Sequence, residues 1–96
     1  MPETHRIVWL TDIHLNFVQQ DTVDLLINRI DQSDPSAVLI GGDIAESNDV
    51  VQWLVHLEDQ LSCPIYFVLG NHDYYFSSIA RVRAQIAELC RQRPRL

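Results

Sequence analysis

Three short apolar runs, each closed by a cluster of polar residues, constrain this chain more than any other feature. The runs are Ile7 to Leu10, Ala37 to Ile40 and Ile65 to Leu69. The clusters that close them are Thr11-Asp12-Ile13-His14, Gly41-Gly42-Asp43 and Gly70-Asn71-His72-Asp73. Runs this short and rich in β-branched residues predict strands without a polar face. Between them the apolar residues change period. Val23, Leu26, Ile27 and Ile30 recur at helical spacing, as do Val50, Trp53, Leu54, Leu57 and Leu61, and then Ile79, Val82, Ile86 and Leu89. Asp21, Asn48 or Ser47, and Ser77 or Ser78 stand where helix caps are expected. Ser33-Asp34-Pro35-Ser36 and Cys63-Pro64 interrupt the helical patterns, and Pro94 limits the last one.

The resulting order is β-α-β-α-β-α. It predicts an α/β fold, a parallel sheet covered by helices, in a single domain over residues 1–96. In a parallel sheet all three polar clusters emerge at the carboxyl edge, where α/β proteins bind ligands. Asp12 and Asp43 stand 31 positions apart, and Asp43 and Asn71 stand 28 apart. Each interval is about one βα unit, so neighbouring strands would deliver these groups to one place.

Asp12, His14, Asp43, Asn71 and His72 together offer carboxylate, imidazole and amide donors. That mixture suits divalent ions such as Mn, Fe, Zn or Mg, and the absence of thiolate at this edge disfavours a structural zinc site. In the extended segment Asp12-Ile13-His14, alternation points both donors to one side. Taken singly, each residue has a plain alternative: Asp12 as a turn residue, Asp43 as a helix cap, Asn71 and His72 as turn filling. It is their convergence at three strand ends that favours a metal site. His5 and His56 read as surface residues, and Asp73 as a residue that orders its loop. Tyr74, Tyr75 and Phe76 read as loop packing rather than a substrate pocket.

Composition sets limits. Apolar residues make up 47% of the chain, which fits a globular protein, and no apolar run reaches the length of a membrane span. The first residues lack the pattern of a signal peptide, which predicts a cytoplasmic protein. Cys63 and Cys90 predict two free thiols. The net charge is −6, and 12 of the 13 acidic residues precede residue 80, whereas five of the seven arginines follow it. An acidic body disfavours a nucleic-acid partner. The late arginines read as a solvated helix face and tail. Neither a phosphate-cradling P-loop nor a GxSxG elbow is present.

Asp12-Ile13-His14, Gly42-Asp43 and Gly70-Asn71-His72-Asp73 resemble, in order, spacing and placement, the DxH, GD and GNH-D/E motifs of the calcineurin-like metallophosphoesterases. The match runs from about Ile7 to Asp73. The resemblance implies the N-terminal half of a metallophosphoesterase α/β sandwich, with a dinuclear centre that hydrolyses phosphomonoesters or phosphodiesters. It implies Asp12 and His14 on the first ion, Asp43 bridging both, Asn71 on the second, and His72 as general acid or as a donor to the phosphoryl oxygen. Solvent held between the ions would attack phosphorus in line. Small phosphoesters, nucleotides among them, are the implied substrates.

Two departures qualify the resemblance. The family closes its site with a further histidine and a GHxH motif, and no histidine follows Asp73 here. The second ion would keep only Asp43 and Asn71, which predicts weak occupancy, little turnover and a partial domain. The alternative is a non-catalytic module that binds one metal or a partner. The protein Ser/Thr phosphatase branch carries arginines beside GD and GNH, where Ser47 and Leu69 stand here. That disfavours protein phosphatase activity and leaves phosphodiesterase-like and nuclease-like members open. The same branch also implies Glu46 as a carboxylate orienting His72. A partial sheet further predicts self-association through an exposed edge.

Overall fold

The computed structural model describes residues 5–96. Its elements alternate as β1 (Ile7–Leu10), α1 (Gln20–Gln32), β2 (Ala37–Ile40), α2 (Val50–Gln60), β3 (Ile65–Phe67) and α3 (Ile79–Gln92). Short 3-10 turns, Leu15–Phe17 and Asn71–Tyr74, follow β1 and β3. The strands form one parallel sheet in the order β1-β2-β3, with Val8 opposite Val38 and Val38 opposite Ile65. The fold is the α/β alternation that the sequence predicts. β3 ends at Phe67 rather than Leu69 because β2 ends at Ile40. The Val68 N–H still reaches the Ile40 carbonyl at 3.1 Å, and beyond it Gly41 and Gly42 turn away.

The helices share one face. Both crossovers advance the same way across the sheet, and right-handed crossovers then place α1 and α2 on a single side. α1 buries Val23, Ile27 and Ile30, α2 buries Val50, Leu54 and Leu57, and α3 buries Val82, Ile86 and Leu89. These residues join Val38, Ile40 and Ile65 in one core. Alternation along each strand sends the intervening residues to the other face. There Ile7, Trp9, Leu39 and Tyr66 are exposed, Trp9 at 75%. Helices therefore cover one face of the sheet and leave an apolar face bare.

Helix starts agree in part with the expected caps. Ser78 caps α3 by accepting the Arg81 N–H at 3.1 Å. Gln19 precedes α1 without a side-chain cap, and Asp21 lies in its first turn. Asp49 precedes α2, and its carboxylate accepts the Glu46 N–H at 2.9 Å instead of capping the helix. No helix among the described residues is long and apolar enough to cross a membrane.

The chain end departs from a solvated tail. Glu58, buried on α2, accepts the Arg93 guanidinium and the Arg95 N–H, each at 3.1 Å. The Arg95 guanidinium donates to the Glu58 carbonyl at 2.7 Å, and the Ile65 N–H donates to the Arg95 carbonyl at 2.7 Å. The buried carboxylate thus ties the segment after α3 to α2, and the Ile65 bond ties it to β3. A carboxylate is tolerated there because charged and backbone donors satisfy it.

Candidate metal centre

Backbone pairing continues past the ends of β1 and β2 and carries the first three donors together. Gly41 N–H donates to the Leu10 carbonyl at 2.8 Å, Asp12 N–H to Gly42 at 3.1 Å, His14 N–H to Asp43 at 3.1 Å and Leu15 N–H to Ile44 at 2.7 Å. To follow this path, Asp12, His14 and Asp43 take φ values of 52°, 45° and 48°. That left-handed region is disfavoured for residues with a Cβ, least so for Asp and Asn. Non-glycine residues held there gather at functional sites.

The third loop is sewn to the second. Asp73, fully buried, accepts the N–H groups of Ile44 at 2.9 Å and Ala45 at 2.8 Å on one oxygen, and of Gly70 at 2.9 Å on the other. Burial pushes its carboxyl above the usual range, while the N–H donors of Ala45, Gly70 and Ile44 pull it back. In return, Asp43 accepts the His72 N–H at 3.0 Å. A Cβ at Gly70 would lie 2.2 Å from the Asp43 Oδ1, so the approach of the two loops requires glycine there.

The resulting group is compact. Ligand atoms of Asp12, His14 and Asp43 all lie within 4.8 Å of one another. The Thr11 hydroxyl, 2.7 Å from the Asp12 carboxylate, does most to hold that carboxyl below its usual range, with Asp43, His14 and His72 adding to the effect. The His72 ring meets the His14 ring edge-on at 4.8 Å between centroids and lies 4.4 Å from Tyr75. The Nδ1 atoms of His14 and His72 are buried with no hydrogen-bond partner among the described residues. Two carboxylates and an imidazole this close, with an unpartnered ring nitrogen, fit a divalent cation of the hard to borderline type.

The structure thus brings Asp12, His14 and Asp43 together and sets His72 beside them. Asn71 opens the 3-10 turn before His72 and is exposed. Glu46 corrects one expectation. Its carboxylate accepts from the Asn16 amide at 2.9 Å, across a separation no motif signals, and no hydrogen bond joins it to His72. Asp73 orders its loop as the sequence predicts, but its reach back to Ile44 and Ala45 is a tertiary contact no short motif reveals. Thr11 was missed as well; an adjacent hydroxyl before a predicted ligand was the available signal. His56 is half-buried against Trp53 rather than fully solvated.

A parallel α/β unit that gathers carboxylates and imidazoles at the carboxyl edge of its sheet has the donors and placement of a metal-binding protein. Comparison with known proteins makes the class specific. The chain belongs to the calcineurin-like phosphoesterase family, whose model matches residues 5–93. It is 35% identical over 74 residues to an uncharacterized metallophosphoesterase of Helicobacter pylori, which covers 73% of this chain and 20% of that protein. It is 33% identical over 88 residues to a transmembrane protein with a metallophosphoesterase domain from Bos taurus, covering 88% of this chain and 20% of that one. A Bacillus subtilis protein, YpbG, is 35% identical over 75 residues, covering 71% of this chain and 26% of its own length. The chain therefore spans about a fifth to a quarter of the length of these relatives. No solved structure matches it.

Proposed function

We propose that this chain carries the first-ion ligands and the proton donor of a phosphoester hydrolase that works through two divalent metal ions. The observation behind this reading is the convergence of Asp12, His14 and Asp43 within 4.8 Å at the ends of β1 and β2. Asp12 and His14 would hold one ion, and Asp43 would share it with a second ion to which Asn71 would add an amide oxygen. When bound, such ions neutralise charge on phosphoryl oxygens and activate water.

The chain's own residues do the rest. The loops after β1 and β2 hold the carboxylates in a fixed relation, so little reorganisation is needed when a cation arrives. The Thr11 hydroxyl bonds to the Asp12 carboxylate and favours its ionised form, the form that binds metal. His72 stands beside the group, its backbone fixed by Asp43 and its ring wedged between His14 and Tyr75. From there its ring can donate a proton to the leaving oxygen. Small phosphoesters, nucleotides among them, are the substrates this geometry suits. Of the described residues, Asp43 and the exposed Asn71 are those that would hold the second ion.

Calorimetric titration of the chain with Mn²⁺ tests the reading. We expect about one firmly bound ion per chain, lost in Asp43→Asn, whose amide oxygen can still accept the His72 N–H and so spares the fold. His72→Ala should leave that ion in place while lowering Mn²⁺-dependent hydrolysis of bis(p-nitrophenyl) phosphate or p-nitrophenyl phosphate. Equal binding by wild type and Asp43→Asn would overturn the assignment, and loss of metal in His72→Ala would mean His72 is a ligand.

A further inference from the structure

We infer that Asp73 is the positioning residue of this site: its buried carboxylate sets where Asp43 stands relative to Asn71 and His72, without itself touching metal or substrate. The inference rests on the reading of Asp12, His14 and Asp43 as a metal group and adds a residue that reading does not use.

The geometry is specific. Asp73 is fully buried, and both of its oxygens point at backbone N–H groups. One oxygen takes the N–H groups of Ile44 and Ala45, the two residues after Asp43. The other takes the N–H of Gly70, the residue before Asn71. A single side chain therefore grips the backbone on the far side of one proposed ligand and the near side of another. Three backbone N–H bonds converge on this one buried group.

The grip acts on a bond Asp73 does not make. The His72 N–H to Asp43 Oδ1 bond, 3.0 Å long, spans the same two loops and closes only if they sit at their present separation. Gly70 sets the limit of that approach, since nothing larger fits against Asp43. Asp43 also sits at φ 48°, a conformation it keeps only while its surroundings enforce it. Bonds to the next two amides are the enforcement. Without them Asp43 can relax to a more favourable backbone and swing its carboxylate away from Asp12 and His14.

Asp73→Asn is the informative variant, because it keeps the shape and one acceptor oxygen but turns an N–H₂ group toward a backbone N–H. Leu57→Ala, in the core of α2 and away from the loops, is the matched control for lost stability. The first readout needs no metal: amide hydrogen exchange by NMR on the full chain. We expect the His72 N–H to lose protection in Asp73→Asn and to keep it in Leu57→Ala, relative to each variant's global stability. The second readout is Mn²⁺ affinity, measured where both variants are folded by circular dichroism. Asp73→Asn should weaken it about 10-fold or more, as loss of a residue supporting a ligand commonly does; Leu57→Ala should leave it unchanged. Unaltered His72 protection in Asp73→Asn would overturn the inference, as would equal loss of affinity in Leu57→Ala. If wild type binds no Mn²⁺ yet His72 protection still falls in Asp73→Asn, the metal reading fails and the positioning role stands.

Discussion

Gly70→Ala isolates the closest approach in the site. The added Cβ would lie 2.2 Å from Asp43 Oδ1, 2.7 Å from the Asp43 backbone nitrogen and 2.8 Å from its Cγ. Because a backbone atom is among the three, no change of rotamer at Asp43 relieves the clash. Gly70 itself has φ −106° and ψ −176°, an extended conformation open to alanine, so the penalty is steric alone. Forcing a methyl into packed surroundings costs about 1–3 kcal/mol. For a domain of this size each kcal/mol lowers Tm by about 4–8 °C, which gives a fall of about 4–24 °C. Gly41→Ala is the comparison. Its Cβ would meet the Thr11 Oγ1 at 3.1 Å and the Thr11 Cβ at 3.3 Å, contacts that a shift of a few tenths of an ångström in this exposed residue relieves. Thermal unfolding in EDTA, followed by circular dichroism, should therefore show Gly70→Ala melting well below wild type and Gly41→Ala close to it. A Gly70→Ala protein melting within about 2 °C of wild type, or both variants falling equally, would refute the steric argument.

Three other outcomes are expected. Glu58→Leu should lower stability by about 1–3 kcal/mol in urea unfolding and open the bond after Arg91 to trypsin, because Arg93 and Arg95 lose their shared acceptor. Burial raises both thiols, so at neutral pH Cys63, the more buried, should react with a disulfide reagent more slowly than half-buried Cys90, and both should react at once in denaturant. The bare sheet face should drive concentration-dependent self-association in sedimentation velocity, and Trp9→Lys should reduce it; a monomer at every concentration would count against that role for the face.

The sequence carried the skeleton of this fold because its signals are local. The β1 and β2 limits follow directly from apolar runs, and Ser78 caps α3 where a serine before a helical stripe predicts it. The meeting of Asp12, His14 and Asp43 was legible too, since parallel order alone sends successive strand ends to one rim. What escaped depends on tertiary contact. Nothing in Asn16 or Glu46 announces that they bond to each other. A run such as Ile7-Val8-Trp9-Leu10 looks buried on both sides, yet only one side meets helices, because both crossovers turn the same way. The tail arginines look solvated until Glu58 is seen to stand buried beneath them. The backbone values at Asp12, His14 and Asp43 are likewise set by pairing between loops, which spacing does not encode.

Those backbone values have a consequence for any attempt to harden the protein. Asp12, His14 and Asp43 all stand where glycine would rest more comfortably. A selection for heat resistance alone would tend to collect glycine at positions 12, 14 and 43, relaxing the chain while removing a ligand each time. Thermal improvement at these three positions should then track the loss of cation affinity, and elsewhere in the chain it should not.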